Sequence, residues 1–210
     1  MTHKITGVYG ILPADLDDDV LLSKAEEALK GGLQTLQFRD KKLGYKRALK
    51  RALALRELTQ RYNAAFIIND SVQLAQASDA DGVHLGRDDV ADLSNIRNDI
   101  GNTMMIGITC RADVVFAKLA LEYGANYVSF GAVFGSQTKP DVPVLGLPRL
   151  NKARQMFPDA NICAIGGITQ DNIVAVKHAG ASSVAVISGL FESKNIKHRA
   201  TELIERWNKA

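Results

Sequence analysis

Residues 162–168 read ICAIGGI and residues 183–189 read SVAVISG. Each is a short, nearly continuous apolar run followed within a few residues by glycine. Such runs suit strands buried on both faces, the usual state of strands in a parallel sheet. Working outward toward the N-terminus, the signature recurs. The pattern predicts strands over 7–12, 35–38, 66–69, 82–85, 104–108 and 127–131, besides 162–165 and 183–187.

Helical periodicity fills the gaps. Leu21, Leu22, Ala25, Ala28 and Leu29 fall on one face, and Gly31 follows as a stop signal. Ala48, Leu49, Ala52, Leu55 and Leu58 repeat the pattern, as do Val115, Phe116, Leu119, Ala120 and Tyr123, ended by Gly124. Thr169 or Asp171 is placed to cap the helix that carries Ile173 and Val176, and a last helix presents Ala200, Leu203, Ile204 and Trp207. Regular alternation of this kind calls for a parallel sheet with right-handed crossovers. Eight strand–helix units in 210 residues favour closure into a (β/α)₈ TIM barrel over an open, doubly wound α/β sheet. No shift in composition marks a boundary, so residues 1–210 are expected to form one barrel domain. One long irregular segment, 134–147, holds Gly, Ser, Thr, Lys and two prolines, the make-up of a functional or mobile loop.

With 46% hydrophobic and 23% charged residues, the chain can bury a core. The net charge of +3 suits anionic ligands, and without a basic stripe interleaved with aromatics nucleic acid is not an expected partner. Cys110 and Cys163 are too few for a disulfide framework, and no run is long and apolar enough to cross a membrane. The expectation is a reduced, cytoplasmic protein whose partners are small phosphorylated molecules; the oligomeric state is left open.

In a parallel barrel, the chemistry collects at the C-terminal strand ends. After the second strand, alternation puts Gln37, Arg39 and Lys41 on one side and Phe38 and Asp40 on the other. That arrangement makes either an anion site or a solvated strand end. Asn69 and Asp70 follow the third strand and suit either a hard cation or an Asx turn. In the fourth, His84 reads as a packed, hydrogen-bonded histidine, and Gly86 permits a tight turn before Asp88 and Asp89. Asp70 and Asp89 come from adjacent loops, where carboxylates can share one Mg²⁺. Ser136, Thr138 and Lys139 suit a lid over an anionic substrate, although taken alone the segment reads better as a solvated loop. Gly166-Gly167 and Ile187-Ser188-Gly189 let backbone N–H groups approach a phosphate at the loops after strands seven and eight. Cys163 reads as a small buried hydrophobe, and Cys110 has no His beside it to make it a nucleophile.

Seven segments in this order carry a resemblance: QFRDK at 37–41, IND at 68–70, DGVHLGRDD at 81–89, Gly-Ile-Thr at 107–109, SQTK at 136–139, AIGGI at 164–168 and VISG at 186–189. Over nearly the whole chain they resemble the thiamine-phosphate synthase family. That family is a group of barrel transferases that couple a hydroxymethylpyrimidine diphosphate to a (carboxy)thiazole phosphate and release pyrophosphate. The resemblance implies that Gln37, Arg39, Lys41, Asn69, Thr109 and Lys139 hold the pyrimidine diphosphate, with Arg39, Lys41 and Lys139 as the catalytic cations. It implies Mg²⁺ on Asp70 and Asp89. It assigns the thiazole phosphate to Ser136, Thr138, Gly167, Ile187 and Ser188. The chain departs from the family pattern at Arg87, where Gln is usual, at Thr109-Cys110-Arg111, where Ser-x-His is frequent, and at Gly135-Ser136-Gln137, where Pro-Thr-x is usual. A thiazole-phosphate isomerase or a non-catalytic phosphate-binding protein would share the two glycine loops. Neither would need Arg39, Lys41, Asn69, Asp70, Asp89 and Lys139 together.

Overall fold

The computed structural model describes residues 5–90, 92–135 and 143–210, with the backbone alone at Asp88. All eight expected strands form: β1 (Gly7–Ile11), β2 (Thr35–Phe38), β3 (Ala65–Asn69), β4 (Gly82–Leu85), β5 (Met105–Arg111), β6 (Tyr127–Gly131), β7 (Ile162–Ile165) and β8 (Ser183–Val186). They pair in parallel and in chain order, and β8 returns to β1, so the sheet closes into a barrel. Helices α1 (Asp18–Lys30), α2 (Tyr45–Arg61), α3 (Val72–Ala77), α4 (Ile96–Ile100), α5 (Val114–Glu122), α6 (Gly146–Met156), α7 (Ile173–His178), α8 (Ser188–Phe191) and α9 (Ile196–Lys209) lie in the connections and after β8.

The helices form where their apolar stripes can meet the sheet. On α2, Ala48, Ala52, Leu55 and Leu58 are buried, as their spacing predicts. Complete burial of a leucine such as Leu55 contributes about 1.5–3 kcal/mol. Helix α5 differs from expectation. Its buried face is Phe116, Ala117 and Ala120, whereas Val115, Leu119 and Tyr123 point outward. A segment as uniformly apolar as VVFAKLALE leaves its inner face undefined by pattern alone. The N-cap of α7 is Asn172 rather than Thr169 or Asp171. Thr169 instead shapes the preceding turn, its hydroxyl accepting from the Asp171 N–H at 3.3 Å. Strand β5 runs three residues past its expected end at 108, with a register irregularity between Thr109 and Arg111. Its tail is polar, so hydrophobicity did not reveal it.

The barrel interior is a separate apolar layer of Ile5, Tyr9, Ile11, Ala65, Ile67, Met105, Tyr127, Cys163 and Ala185. One glycine makes it possible. His84, Gly107 and Tyr127 are lateral neighbours on β4, β5 and β6. A Cβ on Gly107 would sit 2.0 Å from Tyr127 Cζ and 2.3 Å from its hydroxyl. The Tyr127 ring thus occupies the space over Gly107, where it stacks on His84 with centroids 5.4 Å apart. Among the described residues, no helix is long and apolar enough to cross a membrane.

Candidate active site

A pocket of about 170 Å³ opens at the C-terminal end of the barrel. Arg39, Asn69, Thr109 and Arg111 contribute to its polar lining, and Gly166, Gly167, Ile187 and Ser188 come from the loops after β7 and β8. Gln37 lies at its floor with 1% exposure.

The β2–α2 loop is set by burial of its other face. Asp40 points away from the mouth, as alternation predicts, and meets Arg51 Nη1 at 3.5 Å, with both side chains 3% exposed. The Arg51 guanidinium also donates to Asp18 Oδ1 at 2.7 Å and to the Leu16 carbonyl at 2.6 Å, which joins this loop to the one after β1. Arg39 is thereby left to the pocket and Lys41 to the rim, where Lys41 Nζ is 2.5 Å from Asp70 Oδ2.

Asp70 is held in the left-handed region at φ 65°. Its N–H donates to the His84 carbonyl at 2.8 Å, and the Ser71 N–H turns back to the Asn69 carbonyl at 2.9 Å. Ser71 then caps α3 by accepting from the Leu74 N–H. Asn69 and Asp70 therefore do not themselves cap the helix. A left-handed non-glycine residue costs about 1–3 kcal/mol, and such strain clusters at functional sites.

One loop over, Asp89 Oδ2 accepts the Gly86 N–H at 2.8 Å, and the residue is exposed. A Cβ at Gly86 would lie 2.7 Å from that oxygen, so a larger residue there would displace the Asp89 carboxylate. Arg87 does not turn back toward Asp89. Its Nη1 donates to Asp113 Oδ2 at 2.8 Å, and its guanidinium lies 4.6 Å from the Phe116 ring centroid. Asp113 is held below the usual carboxylate range, chiefly by the Phe116 N–H that it accepts as the α5 cap, with Arg87 adding to the effect.

The loop after β7 lies close to the one after β8, where a Cβ on Gly189 would sit 2.4 Å from the Ile168 carbonyl oxygen, and close to the one after β6. Gly166 and Gly167 have φ values of 102° and 63°. A Cβ on Gly166 would lie 2.5 Å from Ala132 Cβ, and one on Gly167 would lie 2.4 Å from the Gly135 carbonyl oxygen. Asn172 ties the turn together: its Nδ2 donates to the Gly167 carbonyl at 2.9 Å, and its Oδ1 accepts the Thr169 N–H. Ser188 opens α8, where first-turn N–H groups lack intrahelical acceptors.

Of the residues expected at the site, Gln37, Arg39, Asn69, Thr109, Gly167, Ile187 and Ser188 share the pocket, while Lys41 and Asp70 form the rim pair. Asp89 stands on the β4 loop outside the pocket lining. Ser136, Thr138 and Lys139 lie outside the described residues. Sequence reasoning missed Arg111 and Ser129, which also line the pocket. The period-two rule, extended from Tyr127 to Ser129, would have pointed to Ser129, whereas the register irregularity between Thr109 and Arg111 takes Arg111 off that rule. The cysteines behave as expected. Both are buried, and burial pushes each thiol up to about 12.

The family model for thiamine monophosphate synthase matches residues 8–190. The thiamine-phosphate synthase of Methylobacillus flagellatus is 42% identical, with 97% of this chain and 96% of that protein aligned. That of Chromobacterium violaceum is 41% identical, with 97% of each chain aligned. Among solved structures, a thiamine phosphate pyrophosphorylase from Pyrococcus furiosus superposes with a TM-score of 0.86 at 30% identity, covering 97% of this chain and 96% of that one. With a site built on the same strand ends that carry the matching motifs, the chain belongs to the thiamine monophosphate synthase family.

Proposed function

We propose that the chain joins a hydroxymethylpyrimidine diphosphate to a (carboxy)thiazole phosphate, giving thiamine phosphate and pyrophosphate, with CO₂ lost when the thiazole carries its carboxylate. The observation that supports this reading is that two sets of groups suited to anions line one barrel mouth. Arg39 lies on the β2 side, next to the Lys41–Asp70 pair, and the glycine loops after β7 and β8 lie on the other. One set suits a diphosphate and the other a monophosphate.

Departure of pyrophosphate leaves positive charge on the pyrimidine's exocyclic methylene, delocalised into the aminopyrimidine ring, and the thiazole nitrogen then attacks that carbon. No side-chain nucleophile is required. The protein's task is to stabilise negative charge growing on the leaving group and to align the two rings. Arg39 and Lys41 would serve the first task, with Lys139 from the 134–147 segment. Gln37, Asn69 and Thr109 would orient the pyrimidine diphosphate. Gly167, Ile187 and Ser188 would hold the thiazole phosphate through backbone N–H groups, with Ser136 and Thr138 near the ring.

The donor set at Asp70 and Asp89 fits Mg²⁺. Both are hard oxygen ligands on consecutive strand ends, and Asp70 is already partnered by a cation. Among the described residues, no group of three or more His, Cys, Asp or Glu side chains is placed to hold a metal. Mg²⁺ keeps several waters and takes substrate phosphate oxygens as further ligands, so one or two carboxylates would suffice to hold it. Mg²⁺ bound there would neutralise charge on the diphosphate.

The test is incubation of the pure protein with both substrates and Mg²⁺. Thiamine phosphate with stoichiometric pyrophosphate is the expected result. A converted thiazole without pyrophosphate, or bound but unchanged ligands, would overturn the proposal.

A further inference from the structure

Beneath the pocket, five side chains from five strands form one hydrogen-bonded chain. Gln37 Nε2 donates to the Tyr9 hydroxyl at 2.7 Å. The Tyr9 and Tyr127 hydroxyls are 3.1 Å apart. The Tyr127 hydroxyl is 2.9 Å from His84 Nδ1, and His84 Nε2 is 2.8 Å from Thr109 Oγ1. Both ends, Gln37 and Thr109, line the pocket. So does His84, whereas Tyr9 and Tyr127 are each 1% exposed and sit in the apolar interior layer.

The chemistry of the links restricts this chain to two states when His84 is neutral. Each tyrosine hydroxyl carries a single proton, and a neutral imidazole carries one proton on one of its two nitrogens. Burial opposes ionisation of both tyrosines, so the hydroxyls stay protonated. With Gln37 Nε2 donating, the protons run one way: Tyr9 to Tyr127, Tyr127 to His84 Nδ1, and His84 Nε2–H to Thr109. Gln37 Oε1 is then free to accept from a ligand, and the Thr109 hydroxyl is free to donate to one. In the reverse state the amide is turned, the histidine tautomer is exchanged, and Thr109 donates inward. An orphaned buried donor in this layer costs about 1–3 kcal/mol, so the links change together rather than singly.

We propose that Tyr127 and Tyr9 are positioning residues that lock the amide sense of Gln37 to the hydroxyl sense of Thr109, so that the pocket reads its ring ligand with one donor–acceptor polarity. The proposal rests on the reading of this pocket as a pyrimidine site. An aminopyrimidine presents an amino donor beside a ring-nitrogen acceptor. Gln37 with Oε1 and one Nε2 proton toward the ligand complements that edge. The corresponding oxo-pyrimidine presents a carbonyl acceptor beside a ring N–H donor and needs the turned amide.

Tyr127→Phe removes the acceptor of the Tyr9 proton with little change in shape. That proton then has Gln37 Oε1 as its remaining partner, and the amide turns. The experiment measures kcat/KM for hydroxymethylpyrimidine diphosphate and for its 4-oxo analogue in wild type, Tyr127→Phe and Tyr9→Phe. The expected result is a fall of ~10-fold or more in the amino-to-oxo ratio in each variant. The double variant should lose no more than either single one, because the chain is already broken. The change in ratio between variant and wild type cancels the analogue's intrinsic reactivity, and a purely structural role would lower both substrates alike. The Gln37 side-chain amide, followed by ¹⁵N–¹H NMR, gives a second readout: one proton protected in wild type, with that protection lost in Tyr127→Phe. If either variant fails to fold, the other carries the test. A ratio within twofold of wild type in a folded variant overturns the proposal. If the wild type makes no thiamine phosphate, the functional reading fails. The relay is then decided by the Gln37 amide alone, and an unchanged signal in Tyr127→Phe overturns it.

Discussion

Gly107→Ala adds one methyl group at a position where the structure has no room for it. Gly107 lies in strand β5, whose extended backbone accepts alanine, so the cost is steric. The new Cβ would overlap Tyr127 Cζ at 2.0 Å, Cε1 at 2.4 Å and the hydroxyl at 2.3 Å. Tyr127 has no exit, because it is 1% exposed and walled by the interior layer. Overpacking of this kind costs about 1–3 kcal/mol. Displacing the ring also breaks its hydrogen bonds to His84 and Tyr9 and strands at least one buried partner, adding about 1–3 kcal/mol. The expected loss is therefore roughly 2–6 kcal/mol. An unfolding entropy of about 2.1 cal/mol/K per residue gives roughly 0.44 kcal/mol/K for 210 residues, so Tm should drop by about 5–14 °C. Thermal melts followed by circular dichroism measure this directly. The double variant Gly107→Ala/Tyr127→Ala should be more stable than the two single losses added together, since the methyl then fills space vacated by the ring. A Gly107→Ala protein that melts within about 2 °C of wild type would refute the steric reasoning and the account of the barrel interior built on it.

Four further outcomes are expected. Asp70→Ala should lower turnover by ~10²-fold or more through loss of leaving-group stabilisation, whereas Ser188→Ala should change the rate little because backbone N–H groups hold the phosphate; steady-state kinetics checks both. Cys110 and Cys163 should resist a thiol reagent in the native protein at pH 8 and react on unfolding, because burial pushes both thiols up to about 12; rapid native labelling would contradict this. Asp18 is held below its ordinary value, first by its hydrogen bond from Arg51. Its contribution to stability is therefore present above the unfolded value of about 3.9 and is lost as pH falls through the lower folded one. Urea melts across pH should show Asp18→Asn less stable than wild type at neutral pH, with the gap closing in acid.

The barrel was legible because parallel strands covered on both faces have little freedom in composition. Segments such as Phe66–Ile68 and Ile162–Ile165 are apolar throughout and stop at polar or glycine residues, so their ends could be read to within a residue. Strand β5 defeated the same rule, since Thr109 and Arg111 extend it with polar side chains that face the pocket rather than the core. Helix α5 defeated it in the opposite way, being apolar also on faces that stay partly or largely exposed. At the site, residues directly after a strand were found because position alone marks them. Tyr9 and Tyr127 were not, because an aromatic inside an apolar strand looks like core until its hydroxyl partners, drawn from other strands, are known. The partners of Arg87 were hidden for a similar reason. Asp113 and Phe116 come from the next strand–helix unit, and local sequence offered only Asp88 and Asp89.

The most direct test of the leaving-group site is a crystal of the protein soaked with pyrophosphate and Mg²⁺. Density for the diphosphate against Arg39 and Lys41, with the ion bridging it to Asp70 and Asp89, is the result expected. Pyrophosphate bound elsewhere on the surface, or an ion that touches neither carboxylate, would contradict it.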